Sequence, residues 1–312
     1  MVRVLDGIDA FLDQLTSVEP LPAFVAVLAH IAKLACTSMA WRNVLAAAYP
    51  DRAVRWLSIY GAYLAGVGVN AVVPVRAGDA VRIVLAHRAI KDSTYTTVVS
   101  STLVLSIFDI AAATTLLVWA AVSLDELPGL GELPRLPSFD FAWLLDHPVA
   151  AELILAGLLI ALAIFGWWIS GHVANFWGRV RQAFAVVTEP LLYLRSVAVW
   201  QAGDWALRLV TIWFLLDAFG IPQSLENVLL VQVSSSIATL IPLTPSGIGT
   251  EQAFLLYVFR GAVSASDLLA FSVGMRLTTV TTNVLLGFTA IALTLRTIRV
   301  SHALERSGRL RT

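Results

Sequence analysis

The sequence predicts an all-α integral membrane protein, a polytopic helical bundle with inverted repeats and two re-entrant helical hairpins. Three observations support this prediction: the composition is apolar, apolar stretches alternate with positively charged ones, and some apolar stretches break at proline and glycine. Of the 312 residues, 58% are hydrophobic and 13% are charged, whereas a typical soluble domain has about 25% charged residues. Long apolar stretches separated by short charged ones are typical of repeated bilayer crossings. We therefore expect a single transmembrane domain over residues 1–312.

The composition also excludes several classes of function. The formal net charge is zero, so there is no basic excess that would indicate a nucleic-acid partner. A single cysteine, Cys36, allows neither an intrachain disulfide nor a cysteine metal cluster. Residues 1–19 are acidic, unlike a signal peptide, which begins with a basic region followed by an apolar one.

Some of the apolar segments are too short or too broken to be ordinary spans. Segments 227–241 and 250–262 fall below the about 17 residues that a spanning helix needs. A turn sequence rich in proline and glycine separates them, and segment 56–73 runs into a second such sequence. Because proline and glycine interrupt helices, we predict a chain reversal at each break. The other apolar segments are residues 22–40, 94–122, 149–169, 196–217 and 266–295.

The distribution of positive charge predicts the topology, since cytoplasmic loops are enriched in lysine and arginine. Residues 41–55 and 74–92 are both basic, so both flanks of segment 56–73 are predicted to be cytoplasmic. Residues 56–90 then form a hairpin that enters from the cytoplasm and returns to it. By the same rule, residues 227–262 form a hairpin that enters from outside.

The predicted chain therefore has five full spans and two re-entrant hairpins. The N-terminal segment 1–21 is external, and the basic tail 296–312 is cytoplasmic. This topology makes the protein a multi-pass protein of the cell membrane. The plainer alternative has seven or eight ordinary spans, since charge bias is a statistical rule.

An inverted repeat follows from this topology. Span, hairpin and long span occur over residues 22–122 and again, in the opposite orientation, over residues 196–295. Inverted repeats with broken helices are common in transporters, and the breaks indicate the binding site. The residues predicted to form the hairpin turns are Pro74, Gly78, Pro242, Pro245, Gly247 and Gly249.

Charged residues inside the apolar segments are the candidates for function, since each costs about 2.5–3.5 kcal/mol at the bilayer centre on insertion scales. Asp204 and Arg208 are four residues apart and are predicted to pair on one helix face. Lys33 is expected to snorkel to the cytoplasmic interface. Asp109 and Arg276 occupy the equivalent long spans of the two repeats, where a direct pair between them is an open alternative. We assign Asp109, Asp204 and Arg208 to charge pairing or coupling.

The hairpins contribute a second set of candidates. Two arginines flank an acid in Arg76, Asp79 and Arg82, and arginine suits recognition of phosphate or carboxylate. Glu251 follows the second break and begins a helix. The alternatives are ordinary loop charge for the first group and compensation of the helix dipole for Glu251. The predicted substrate-binding residues are Asn70, Arg76, Asp79, Arg82, Glu251 and Arg276.

Enzyme signatures are mostly missing from the sequence. It has no His-Glu-x-x-His zinc site, no Walker loop and no Gly-x-Ser-x-Gly elbow. Pro245-Ser246-Gly247 is similar to an element of membrane lipid phosphatases, but Ile248 replaces the catalytic histidine. We expect neither a cofactor nor a metal.

Two motifs resemble the lysylphosphatidylglycerol synthase transmembrane family of flippase-like integral membrane proteins. The first is Asn70-x-x-x-Pro74-x-Arg76-x-Gly78-Asp79-x-x-Arg82, and the second is Ile241-Pro242-x-Thr244-Pro245-Ser246-Gly247-x-Gly249-x-Glu251. The resemblance covers about residues 22–295. Asp79 and Ser246 depart from the glutamate and glycine expected there, and no soluble aminoacyl-transferase domain follows. The resemblance implies movement of a lipid or lipid-linked headgroup between leaflets, not lipid synthesis.

The leading hypothesis is a lipid translocator for an anionic phospholipid or polyprenyl-phosphate headgroup. Arg76, Arg82 and Arg276 would face a polar cavity, and Asp79 and Glu251 would neutralise them or carry coupling protons. Since no nucleotide site is visible, movement would be passive or coupled to an ion. One rival is a membrane transferase or hydrolase in which Asp79, Glu251 and Asp109 hold a divalent ion. The other is a non-catalytic partner of a membrane enzyme, and a homo-oligomer is also left open.

Overall fold

The computed structural model describes residues 18–73, 76–123, 173–240, 250–259 and 263–309, and this part of the chain is helical without any strand. A 3-10 helix, Ala185–Thr188, and a π-helical turn, Leu194–Ala198, lie between the helices Val173–Ala183 and Val199–Ala218. The α-helices are α1 Pro20–Ala48, α2 Trp56–Val72, α3 Ala77–Ala89, α4 Tyr95–Ser123, α5 Val173–Ala183, α6 Pro190–Tyr193, α7 Val199–Ala218, α8 Leu225–Leu240, α9 Thr250–Val258 and α10 Ala265–Arg309.

Three of the described helices are long and apolar enough to cross a membrane: Pro20–Ala48, Tyr95–Leu116 and Ala265–Thr294. They coincide with three of the predicted spans, and the protein is therefore an all-α membrane protein, as predicted. Helix α7 has 20 residues, about 30 Å at 1.5 Å per residue, but it is less apolar because it carries charged side chains. The predicted span 149–169 lies outside the described residues.

The first predicted hairpin is a pair of antiparallel helices, α2 and α3. Helix α2 ends at Val72 and α3 begins at Ala77, so the helix breaks where the sequence predicted; Pro74 lies outside the described residues. A Cβ atom at Gly78 would lie 2.0 Å from the carbonyl oxygen of Gly66, so this close approach requires glycine. Arg76 makes the turn in the left-handed region, with φ 55°.

The second predicted hairpin comprises α8 and α9. Helix α8 is described to Leu240 and α9 from Thr250, and the predicted break between them falls outside the described residues. The predicted turn residues Pro242, Pro245, Gly247 and Gly249 lie outside the described residues. Re-entry of either hairpin through one membrane face stays a prediction.

Helix α2 packs antiparallel against α10 through small residues. A Cβ atom at Gly68 would lie 2.6 Å from the Cα atom of Gly287, whereas one at Gly61 would lie 3.9 Å from the Thr294 hydroxyl. Small residues allow membrane helices to approach closely and gain van der Waals contact. The first hairpin thus packs against α10, the long helix of the other half of the chain.

Contacts between the two halves are reciprocal. Helix α1 packs against α7, α2 packs against α10, and α8 packs against α4. Each hairpin therefore contacts the long helix of the other half, as repeats related by a two-fold axis would do. The repeat relation itself stays a prediction.

The apolar core forms a cluster towards each end of the bundle. One cluster contains Trp41, Leu45 and Ile59, near the end that carries Arg42 and Arg52. The other is built from α7, α8, α9 and α10. Helix α5 packs on the first end, where the Gln182 amide donates to the Ala48 carbonyl at 2.7 Å. Lys33 of α1 and the pair Asp204 and Arg208 of α7 lie between the clusters.

Candidate functional site

A cavity of about 350 Å³ lies among α1, α7, α8, α9 and α10. Its charged lining consists of Lys33, Arg208, Glu251 and Arg276, with His30 beside them. This volume falls within the about 300–1,000 Å³ typical of small-molecule sites. The rest of the lining combines polar and apolar side chains: Thr211, Ile212, Leu215, Gln232, Ser235, Ser236, Met275, Thr279 and Val280.

Glu251 and Arg276, two of the predicted substrate-binding residues, meet in this cavity. Arg276 Nη1 lies 3.7 Å from Glu251 Oε2, and the Ser235 hydroxyl donates a hydrogen bond to the other carboxylate oxygen. Glu251 lies in the first turn of α9, where the helix dipole favours a negative charge. The pair ties the second hairpin to α10, and its arginine faces the cavity.

The predicted pair between Asp204 and Arg208 is confirmed. Arg208 Nη2 lies 2.9 Å from Asp204 Oδ2, and the Thr37 hydroxyl donates to Asp204 Oδ1 at 2.5 Å. Asp204 is only 2% exposed, so it supports Arg208 from behind the cavity wall. The Arg208 guanidinium also lies over the Trp205 ring, 4.7 Å from its centroid.

Sequence reasoning missed the contribution of α1. Lys33 lies near the middle of α1 and lines the cavity, which differs from the expected position at the cytoplasmic interface. His30 Nε2 is 2.8 Å from the Asn283 side-chain oxygen of α10. His30, Lys33 and Thr37 are spaced by three and four residues, so they follow one face of the helix. That polar stripe is the signal in the sequence that identifies these residues.

The remaining predicted binding residues form a separate cluster on the first hairpin. Asn70 donates to Asp79 at 3.0 Å and accepts from the Gly78 N–H at 2.7 Å. Arg82 Nη2 lies 3.3 Å from Asp79 Oδ1, and the Arg82 guanidinium lies 5.9 Å from the Trp41 ring centroid. Arg76 is exposed at the turn. The structure therefore does not bring Arg76, Asp79 and Arg82 into the cavity that contains Arg276.

Tyr63 lies between the two charged clusters. Its hydroxyl is near Thr37 and within electrostatic range of Asp204, Arg82 and Arg208. Polar groups therefore continue from the first hairpin to the wall of the cavity. The described conformation connects the two sets of residues although it does not merge them.

The acidic residues of the enzyme hypothesis have different partners. Asp109 accepts a hydrogen bond from Trp205 Nε1 at 3.0 Å, whereas Asp79 contacts Asn70 and Glu251 contacts Arg276. In the described ranges, no group of three histidine, cysteine, aspartate or glutamate side chains is arranged to hold a metal ion. The open alternative of a direct pair between Asp109 and Arg276 is also absent there.

Comparison with protein families gives one finding that bears on this site. Residues 2–287 match the family model described as "Lysylphosphatidylglycerol synthase TM region". No curated protein matches the chain significantly. No solved structure matches it significantly either.

Proposed function

Because the chain belongs to the lysylphosphatidylglycerol synthase transmembrane family over residues 2–287, we propose that it moves an anionic lipid between the leaflets of a membrane. The family supports a role in lipid handling. The movement, its direction and its substrate are our proposal. The observation that carries it is the excess of basic over acidic side chains in the lining of the cavity.

Three cations, Lys33, Arg208 and Arg276, face this cavity with one carboxylate, Glu251. Charges inside a membrane are costly, so they occur where they pair or line a watery cavity. Arginine can hold a phosphate through two parallel hydrogen bonds. An anionic headgroup in the cavity would therefore stabilise charges that otherwise face one another.

The helix breaks support passage of the headgroup through this region. A non-helical backbone is tolerated at membrane depth only inside protein or against a watery cavity. The second predicted break directly precedes α9, whose first turn contains Glu251. In the proposed cycle the headgroup displaces Glu251 from Arg276 while its acyl chains stay in the bilayer. Glu251 then pairs with Arg276 again, which resets the empty cavity.

Arg76, Asp79 and Arg82 have a proposed role at the first hairpin. Asp79 is held by Asn70 and Arg82, much as Glu251 is held by Ser235 and Arg276. Each hairpin thus has an acid near the start of its second helix, bound to a polar side chain of its first helix. We propose that the two acids neutralise the arginines alternately, with passive or ion-coupled movement.

The separate partners of Asp79, Glu251 and Asp109 favour transport over a metal-dependent reaction that would need all three carboxylates together. The proposal is tested by reconstituting the purified protein in liposomes with a fluorescent anionic phospholipid. A membrane-impermeant quencher then reports the fraction of probe that reaches the outer leaflet.

Arg276→Gln should slow the quenching of inner-leaflet probe by about tenfold or more, because a charge-assisted hydrogen bond contributes about 1.5–3 kcal/mol. Arg52→Gln is the matched control, since Arg52 pairs with Asp92 at the surface and not in the cavity. Equal rates for wild type and Arg276→Gln would reject the role of Arg276. Rates equal to protein-free liposomes for wild type would reject the function.

A further inference from the structure

Lys33 differs from the other cations of the cavity in its surroundings. Arg208 and Arg276 each have a carboxylate partner, at 2.9 Å and 3.7 Å. Among the ion pairs of the described residues, none includes Lys33. Lysine is a compact charge with three hydrogen-bond donors. Its ammonium group is therefore available to a ligand in the cavity.

The balance of charge around the cavity indicates what that ligand is. Of the three cations that line the cavity, Arg208 and Arg276 form ion pairs with Asp204 and Glu251, respectively. Asp204 and Asp109 act on Lys33 only through longer-range electrostatics. His30 Nε2 lies 2.8 Å from the Asn283 side-chain oxygen. Residues 241–249, between α8 and α9, contain no ionisable side chain. Among the cations that line the cavity, Lys33 is thus the one that forms no ion pair in the described ranges.

A ligand with a single net negative charge would supply the ion-pair partner that Lys33 lacks. A phosphodiester headgroup carries that charge and offers oxygen atoms to the three ammonium donors of Lys33. A zwitterionic headgroup would instead bring its own cation next to Arg208 and Arg276. The lining carboxylate, Glu251, already pairs with Arg276. The added cation would therefore have to compete with Arg276 for Glu251.

We propose that Lys33 binds the headgroup phosphate and is the residue that makes the cavity prefer a singly anionic lipid to a zwitterionic one. This inference rests on the proposed lipid-binding function and adds a specificity residue to it. The role does not depend on the first hairpin, because Lys33 lies on α1 and contacts the cavity directly.

The experiment measures lipid retention by native mass spectrometry. The purified full-length protein is equilibrated with equal amounts of phosphatidylglycerol and phosphatidylcholine, which are a singly anionic and a zwitterionic probe. Wild type should retain phosphatidylglycerol preferentially, and Lys33→Gln should reduce that preference by about tenfold. Lys33→Arg keeps the charge and should keep most of the preference. Lys91→Gln is the matched control, because Lys91 is exposed outside the cavity.

Thermal unfolding checks that the variants fold. Lys33→Gln is expected to fold because glutamine costs less than charged lysine to place within a membrane. A wild-type preference retained in Lys33→Gln would overturn the inference, as would the absence of any preference in wild type. Retention that depends on Lys33 without lipid movement would support the inference and reject the translocator function. The two failures are therefore distinguishable.

Added inorganic phosphate distinguishes the two sources of a phosphate ligand. Unchanged retention of phosphatidylglycerol in millimolar phosphate would support the lipid headgroup as the ligand of Lys33. Displacement of the lipid by phosphate would identify the free ion as the preferred ligand and overturn the lipid assignment.

Discussion

Asp204 shows how single residues stabilise a charged membrane interior. The residue is 2% exposed, and its carboxylate contacts both Arg208 and Thr37, which belong to different helices. Removal of one member of a buried ion pair leaves the other charge without compensation, whereas removal of both is often neutral. Stability should therefore depend on the pair more than on either charge.

Asp204→Leu should lower the free energy of unfolding by about 2 kcal/mol or more, below the about 3–5 kcal/mol of a fully buried pair. The expected loss is smaller than for a fully buried pair because the Arg208 side chain is 32% exposed, so water still solvates its charge in part. The double variant Asp204→Leu with Arg208→Met should recover much of this loss. Thermal unfolding of purified protein in detergent measures both effects, with the exposed Asp51→Leu as control. Equal losses in the single and double variants would contradict this account.

Pairing within one helix was predictable from the sequence, but pairing across helices was not. Asp204 and Arg208 are four residues apart, and this spacing determines that they meet. Glu251 and Arg276 meet only because α9 packs on α10, which no local pattern encodes. The tendency of lysine to snorkel predicts an interfacial position for Lys33, whereas the side chain lines the cavity. Its polar neighbours at helical spacing, His30 and Thr37, were the better guide.

At the scale of helices, glycine determines how closely the first hairpin packs. Gly78 lies against Gly66 within the hairpin, and Gly68 lies against Gly287 of α10. In both contacts the neighbouring atoms include backbone, which cannot rotate away as a side chain can. The α2 helix therefore tolerates a methyl group at some glycines and not at others.

Gly68→Ala should lower the free energy of unfolding by about 1–3 kcal/mol, the usual cost of overpacking, because its Cβ atom would lie 2.6 Å from the Gly287 Cα atom. Gly61→Ala is the control on the same helix. Its Cβ atom would lie 3.9 Å from the nearest group, and alanine is a better helix former than glycine. Unfolding midpoints that rank these two variants in the opposite order would refute the described packing.

The end of α2 was predictable, whereas the contacts between the hairpins and long helices were not. Proline and glycine follow α2 closely, and those residues cannot continue a helix without cost. The register of α2 on α10 depends on matching glycines that are more than 200 residues apart, Gly68 and Gly287. Sequence periodicity has no information on that match.

At the scale of the whole molecule, the two hairpins are proposed to open towards opposite faces of the membrane. The reciprocal contacts α2 with α10 and α8 with α4 support two halves of opposite orientation. The charge distribution that gave this topology acts on loops, and it leaves the depth of each hairpin undetermined.

Cysteine accessibility tests the proposed topology. Cys36 is the only cysteine, so Cys36→Ser gives a background in which one new thiol is labelled. Ala53→Cys and Lys91→Cys, at the two ends of the first hairpin, should react only from the cytoplasmic side. Gln223→Cys and Ala265→Cys, at the ends of the second, should react only from outside. Labelling of the two ends of one hairpin from opposite sides would show that it spans the membrane.

Lipid movement by the purified wild-type protein is the most direct test of the central claim. In liposomes that contain a fluorescent anionic phospholipid, the quencher should reach nearly all of the probe when the protein is present. In protein-free liposomes it should reach about half of the probe, the outer-leaflet share of a two-leaflet bilayer. The account predicts faster loss of the protected fraction with wild type than with Arg276→Gln. A protected fraction that wild-type protein leaves unchanged would contradict the assignment of this membrane protein as a lipid translocator.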